Sequence, residues 1–295
     1  VGFSHRMPLM VGLDGVIKKL SKEESNTIGF IDESNRYKIN DYKMVASNVF
    51  AVSPKRSSDG YTRLWINSHQ PWDGPVAWYE AHLVSNEGWD FYGGFFPGSP
   101  VPLLGHNKYL GWSHTVNSPD LIDIYKLTIN PENNNQYWFE GFWKDLSIKK
   151  ARIKINFFGP FSWTFKREVK GSIHGPVMEF DHGTYALKIS SLNNLRFVEQ
   201  WYRMGKAKNF TQFRTAMEIH AIPMFNTGYA DKDGNIYYVY NAKIPVRDPR
   251  YDWSGYLPSE SKGSLWKGYI PFNDLPQILN PPEGFFQNSN SSPYL

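Results

Sequence analysis

Ser47 heads an apolar run, Asn48-Val49-Phe50-Ala51-Val52, of the type that forms a strand. A second apolar run, Leu64-Trp65-Ile66, ends in Asn67-Ser68-His69. Two such runs paired through a polar turn would bring Ser47 near His69, and a serine so placed can act as an acyl-transfer nucleophile. The same pattern also fits an ordinary strand start. Asn226 follows Met224-Phe225 and precedes the turn signal Asp233-Gly234-Asn235. Its side-chain amide can donate to an oxyanion, or can simply serve a turn. Arg247, after Ile244-Pro245-Val246, can orient a carboxylate or the nucleophile's neighbours, or lie on the surface. Asp120 and Asp123 could give two carboxylates and a backbone carbonyl to a hard cation such as calcium, or one of them could cap a turn. His69, His82, His106, His114 and His174 show no ligand spacing of the His-x-x-x-His kind, which argues against a zinc site.

These residues need a scaffold. Short apolar runs punctuated by Gly, Pro and Asn begin at Ser47: Val49–Val52, Arg63–Ile66, Tyr125–Ile129, Ala151–Phe157, Tyr185–Ile189 and Ile236–Tyr240. Their spacing predicts a large antiparallel β system, with Phe225–Ala230 and Ile236–Tyr240 forming a hairpin across Asp233-Gly234-Asn235. One helical stretch interrupts the strands. Its stripe of Trp201, Met204, Phe210, Phe213, Met217 and Ile219 predicts two helices split near Gly205, packing into a core. The segment from Ser21 to Lys43 is polar and reads as a connector. The tail from Arg247 is rich in Pro, Gly and Asn and is expected to wrap the surface.

Composition narrows the choices. The chain has 295 residues, 41% of them hydrophobic, so it can bury a sizeable core. Aromatics make up 17%, which suits β-rich proteins with apolar pockets. The net charge is only +4 and the basic residues read as scattered, which points to solvated faces and away from a nucleic-acid groove. With no cysteine, disulfides, thiolate metal sites and cysteine nucleophiles are excluded. No apolar run is long enough for a membrane-spanning helix, and no signal segment opens the sequence.

In order along the chain, the motifs resemble those of the penicillin acylase family of N-terminal-nucleophile hydrolases. The matching stretches include Ser47-Asn48-Val49-Phe50, Asn67-Ser68-His69, Phe96-Pro97-Gly98-Ser99-Pro100, Gly105-His106-Asn107 and Gly111-Trp112-Ser113-His114-Thr115. They continue with Asp120–Asp123, His174-Gly175-Pro176-Val177, Asn226, Pro245 with Arg247, and Gln287-Asn288-Ser289-Asn290-Ser291-Ser292-Pro293. His69 is more like the acyl-homoserine-lactone, aculeacin and cephalosporin acylase branch than the penicillin G acylases, which carry glutamine there. The resemblance implies an α+β fold, a four-layer αββα sandwich that is predominantly antiparallel and incomplete in this chain. Residues 1–46 would then be a linker or propeptide with the end of an α-segment, and 47–295 the N-terminal part of a β-segment. Cleavage between Ala46 and Ser47 would free an α-amine, whose pKa near 8 lets it take the hydroxyl proton through a water. Ala46 stands where the family usually has glycine.

By the same resemblance Ser47 is the nucleophile and His69 supports it. The Val116 backbone N–H and the Asn226 side chain form the oxyanion hole, and Arg247 orients the site. Gln70, Trp72, Phe96 and Val116 line the acyl pocket. Asp120, Asp123 and the Ile122 carbonyl resemble calcium ligands. The calcium would be structural, and the chemistry itself needs no cofactor. The implied activity is hydrolysis of an acyl-amide bond through an acyl-enzyme, on N-acyl-homoserine lactones, penicillins, cephalosporins or related N-acyl amines. The implied partners are that small-molecule substrate, a missing α-segment and the rest of the β-segment. Nucleic acid and a membrane span are not expected, and the implied location is periplasmic or secreted. The rival readings are a catalytically silent module that binds an acyl or glycan ligand, or an unprocessed, inactive precursor fragment.

Overall fold

The computed structural model describes residues 13–22 and 46–294, apart from 75 and 160. Most of the expected polar connector lies outside these residues. In chain order the elements are α1 (Leu13–Lys22), β1 (Ser47–Val52), β2 (Arg63–Ser68), β3 (Tyr79–Ser85), β4 (Trp89–Phe95), β5 (Leu104–His106) and β6 (Leu110–Thr115). Then come β7 (Ile122–Leu127), β8 (Ile129–Asn130), β9 (Asn133–Phe139), β10 (Phe142–Asp145), β11 (Ser147–Asn156), β12 (Ser162–Ser172), β13 (Gly175–Phe180) and β14 (Gly183–Ile189). Helices α2 (Phe197–Lys206) and α3 (Phe210–Met217) precede β15 (Asn226–Asp231), β16 (Ile236–Tyr240), β17 (Tyr256–Pro258), β18 (Gln277–Leu279) and β19 (Phe285–Asn288).

Two large sheets form the body. One runs β18-β16-β15-β6-β5-β4-β3 and the other β11-β12-β13-β14-β7-β17. A smaller sheet, β19-β1-β2, carries Ser47. Pairing is antiparallel except that β17 runs parallel to β7. The chain is therefore α+β and predominantly antiparallel, as expected. The helices fall where the apolar stripe predicts them. Phe197, Trp201 and Met204 of α2 and Phe213, Ala216 and Met217 of α3 are buried against the seven-stranded sheet, with Trp112 and Tyr229. The Asn209 side chain caps α3 by accepting from the Gln212 amide at 2.9 Å. Within the segment expected to be linker, α1 sets Leu13, Val16, Ile17 and Leu20 on one face and packs them on the six-stranded sheet.

Alternation along two strands explains how the serine sheet comes close. On β6, Leu110, Trp112 and His114 face the helices, leaving Gly111, Ser113 and Thr115 for the opposite side. On β15, Tyr229 faces the helices, while Asn226, Gly228 and Ala230 turn toward β1. That second face is small and polar. At Gly228 an added Cβ would lie 2.6 Å from Val49 Cγ2, so only glycine admits β1 here. Gly234, at φ +96°, makes the predicted β15–β16 turn.

The tail departs from expectation. It supplies β19, which pairs with β1 along Val49–Val52 and buries Phe286 and Asn288. Its Pro and Gly punctuation hid strands of three or four residues.

Candidate active site

β1 and β2 pair in the register Ser47↔Ser68, which brings the start of one strand to the end of the other. Ser47 is buried, and its Oγ donates to the Ala46 carbonyl oxygen at 2.5 Å. The same carbonyl accepts the backbone N–H of His69 at 2.9 Å. So His69 meets the Ala46–Ser47 peptide through its main chain. Its imidazole is exposed, with Nε2 3.3 Å from Asn48 Nδ2.

The other side of that peptide is held by the tail. The Ser47 N–H donates to Asn290 Oδ1 at 2.8 Å, and Asn290 Nδ2 donates to the Val116 carbonyl at 2.6 Å. One amide side chain thus ties the serine nitrogen to the end of β6. Asn288 Oδ1 accepts from the Asn290 N–H, from Thr115 Oγ1 and from Asn226 Nδ2. Asn226 is fully buried and donates also to Thr115 Oγ1 at 3.0 Å, while its Oδ1 accepts from the Tyr238 hydroxyl at 2.7 Å. An amide NH₂ has two protons, and both are engaged here. Donation to an oxyanion would require exchanging Thr115 or Asn288 for the new acceptor. Asn288 ends β19 and Asn290 lies two residues beyond it; their spacing within Gln287–Pro293 is the signal that the sequence offers for them.

A cavity opens beside Ser47. It is lined by Ser47, Ser68, Gln70, Trp78, Phe96, Leu103, Leu104, His114, Val116 and Phe225. Its enclosed volume is about 30 Å³, room for about two waters. Gln70, Phe96 and Val116 line this cavity. Trp72 is not, because residues 71–74 bend outward and leave its side chain fully exposed. The indole at the wall is Trp78, stacked on Phe96 with ring centroids 4.2 Å apart. Phe225, immediately before Asn226, holds φ at +96°, a strained backbone of the kind that concentrates at functional sites. Its N–H is anchored on Asn117 Oδ1 at 2.7 Å.

His114 reaches the same wall from the helix side. Its Nε2 accepts from Trp201 Nε1 at 2.9 Å, and its Nδ1 lies 3.1 Å from Thr227 Oγ1 and 3.3 Å from the Asn226 carbonyl. Burial pushes the imidazole down to about 4, against the pull of the Asn226 carbonyl, so it is neutral at ordinary pH.

Asp120, Asp123 and Arg247 gather in a separate cluster. Arg247 Nε donates to Asp123 Oδ2 at 2.9 Å, and its NH2 nitrogen meets the Asp120 carbonyl and side chain. Trp266 Nε1 also donates to Asp123 Oδ2. Burial raises the Asp123 carboxyl despite Arg247 beside it. None of these residues lines the cavity, nor does Asn226, and Arg247 is bonded to Asp120 and Asp123. As a calcium set the group is short of ligands. Asp123 Oδ1 is buried and without a partner among the described residues, but the facing charge is a guanidinium. No group of three or more His, Cys, Asp or Glu able to hold a metal occurs among the described residues, and calcium takes six to eight oxygens.

A buried serine at a strand head, an amide network on its nitrogen and an apolar cavity beside it come together on an α+β scaffold. The chain belongs to the penicillin amidase family, which it matches over residues 8–295. It is 28% identical over 275 residues to the acyl-homoserine lactone acylase PvdQ of Pseudomonas fluorescens (strain Pf0-1), covering 84% of this chain and 35% of that protein. It is 26% identical over 252 residues to the penicillin G acylase of Escherichia coli, covering 84% of this chain and 29% of that one. Among solved structures it is similar to a thermostable penicillin G acylase from Alcaligenes faecalis, with a TM-score of 0.73 and 31% identity over 84% of this chain and 44% of that chain. The chain therefore spans about a third of the length of the curated relatives it matches. No helix among the described residues is long and apolar enough to cross a membrane.

Proposed function

We propose that this chain carries the nucleophile half of an amidohydrolase that frees acyl groups from amines, and that Ser47 becomes its N-terminal residue by self-cleavage. The observation that carries this reading is the Ala46–Ser47 peptide itself. Its carbonyl has a hydroxyl at hand and a main-chain donor, the His69 N–H, while Asn290 holds its nitrogen. Attack of Ser47 Oγ on the Ala46 carbonyl carbon would move the acyl group from nitrogen to oxygen. Water would then hydrolyse that ester, releasing the Ala46 carboxylate and the Ser47 α-amine.

In the processed form the amine, held by Asn290 Oδ1, accepts the Oγ proton through a water as Oγ attacks the substrate's amide carbon. The negative charge that develops is met by the Val116 N–H and by Asn226 once it exchanges a partner. The leaving amine takes the proton, and water completes hydrolysis of the acyl-enzyme. The cavity as it stands admits waters rather than an acyl chain, since ligand sites usually offer about 300 Å³ or more. Acyl binding therefore needs the Trp78–Phe96 wall to shift or further chain to complete it. N-acyl-homoserine lactones and β-lactam side chains are the first substrates to try. A structural calcium at Asp120, Ile122 and Asp123 would need oxygens from elsewhere, and no step here passes through it.

Intact-mass analysis of purified protein tests the reading. It should give two species, ending at Ala46 and beginning at Ser47, and Ser47→Ala should remain one. Acyl release by a chain that stays uncut would overturn the amine as base.

A further inference from the structure

Strands β11 and β12 form a long ribbon that leaves the six-stranded sheet and is exposed along nearly its whole length. Its distal part, residues 155–165, contains no charged side chain. It displays Phe157 at 63% exposure, Phe158 at 75%, Phe161 at 61% and Trp163 at 65%, with Ile155 and Phe165 behind them. Register places Ile155 opposite Trp163 and Ile153 opposite Phe165, so these four share one face. Directly behind this apolar cap lie Lys149, Lys150, Arg152 and Lys154 on β11 and Lys166 and Arg167 on β12. The one carboxylate of the ribbon, Glu168, faces Lys150, and Lys170 is paired with Glu179. Seven cations against one carboxylate give the ribbon a surplus of six charges, where the whole chain carries +4. Seven of the chain's 32 Lys and Arg, which read as scattered along the sequence, thus gather on one projecting element.

We propose that this ribbon docks the protein on an anionic phospholipid surface, its aromatic tip entering the headgroup boundary and its basic collar meeting the lipid phosphates. The grading along the ribbon selects this occupant. The uncharged, aromatic-rich stretch is confined to the end and the cations follow it, with Ile148, Ile153 and Val169 exposed among them. Exposed aromatic rings favour the membrane–water boundary, and clustered Lys and Arg favour anionic lipid. An apolar patch of this kind on an otherwise charged element marks a contact surface.

The test is co-sedimentation of the longest form of the protein that is expressed, with phosphatidylcholine vesicles made with and without phosphatidylglycerol. Binding should appear only with the anionic lipid and fade as salt is raised. Lys154→Gln with Lys166→Gln should weaken it about thirtyfold. Phe158→Ser with Trp163→Ser should abolish it, with the thermal midpoint unchanged because both rings are exposed. The proposal is overturned by equal binding to both vesicle types, or by no binding to either. It is overturned also if heparin without lipid binds as tightly and the aromatic variant binds like wild type. A third contrary result is concentration-dependent dimerisation that the aromatic variant removes. A fourth is protection of the tip from surface labelling in lipid-free protein.

Discussion

Two buried polar clusters of this protein invite chemistry, and they are built on opposite principles. Around Ser47 the groups are neutral: Thr115, Asn226, Asn288 and Asn290 exchange hydrogen bonds, and Asn290 links them to the serine nitrogen and Val116. Around Asp123 they are charged, with Arg247 and Trp266 closing on one carboxylate away from the cavity. Neutral donors can change partners at modest cost, because each exchange is one hydrogen bond for another. A buried ion pair cannot release either member without stranding a charge. The first cluster is thus suited to receive a developing negative charge, and the second to hold β7 to the segment after Arg247.

The sharpest break in that contrast is Ser47→Ala. It should remove both self-cleavage and acyl release entirely while leaving the thermal midpoint near wild type, read by intact mass and product formation. Arg247→Met should do the reverse. It leaves Asp123 buried without its cation, held by Trp266 alone, so unfolding by denaturant should show a loss of about 3–5 kcal/mol, with turnover per folded molecule little changed. Asn226→Ala should lower kcat/KM by about 10²–10³ if its amide meets the oxyanion, which is about 3–4 kcal/mol. A drop in stability with intact kcat/KM would assign Asn226 to the scaffold instead.

Acid separates the clusters next. His114, beside the neutral one, is held at about 4 in the fold against an ordinary 6.5, so the unfolded chain binds more protons between those values. Its contribution is complete above about pH 6.5 and is lost as pH falls toward 4. His174 and His220, also buried and held near 4, act in the same direction. Denaturant midpoints should therefore fall steadily across that window. The smallest effect is expected at Asn290→Ala. It should cost about tenfold in rate and move the basic limb of the pH profile, because the amine loses the carbonyl that orients it.

Much of this was legible in the sequence for a simple reason. Period-two runs between Gly, Pro and Asn specify strands, and Trp201, Met204, Phe213 and Met217 specify helices with one apolar face. The adjacency of Ser47 and position 69 followed from pairing two strands, although the contact runs through the His69 backbone, which no side-chain argument could reveal. Three things were hidden because they depend on distant neighbours. The strand at Phe285–Asn288 is too short and too punctuated to stand out alone. Arg247 chose its carboxylates through the tertiary fold. Trp72 and Trp78 are equally apolar on paper, and only the bend at 71–74 decides which reaches the cavity.

Gly228 carries a practical lesson. A Val49 methyl occupies the place its side chain would take, so the gap between the serine-bearing strand and the amide-bearing strand is a fixed gauge. Redesign aimed at a different acyl group should leave that gauge alone and recut the indole and phenyl panel at Trp78 and Phe96, which forms the cavity wall.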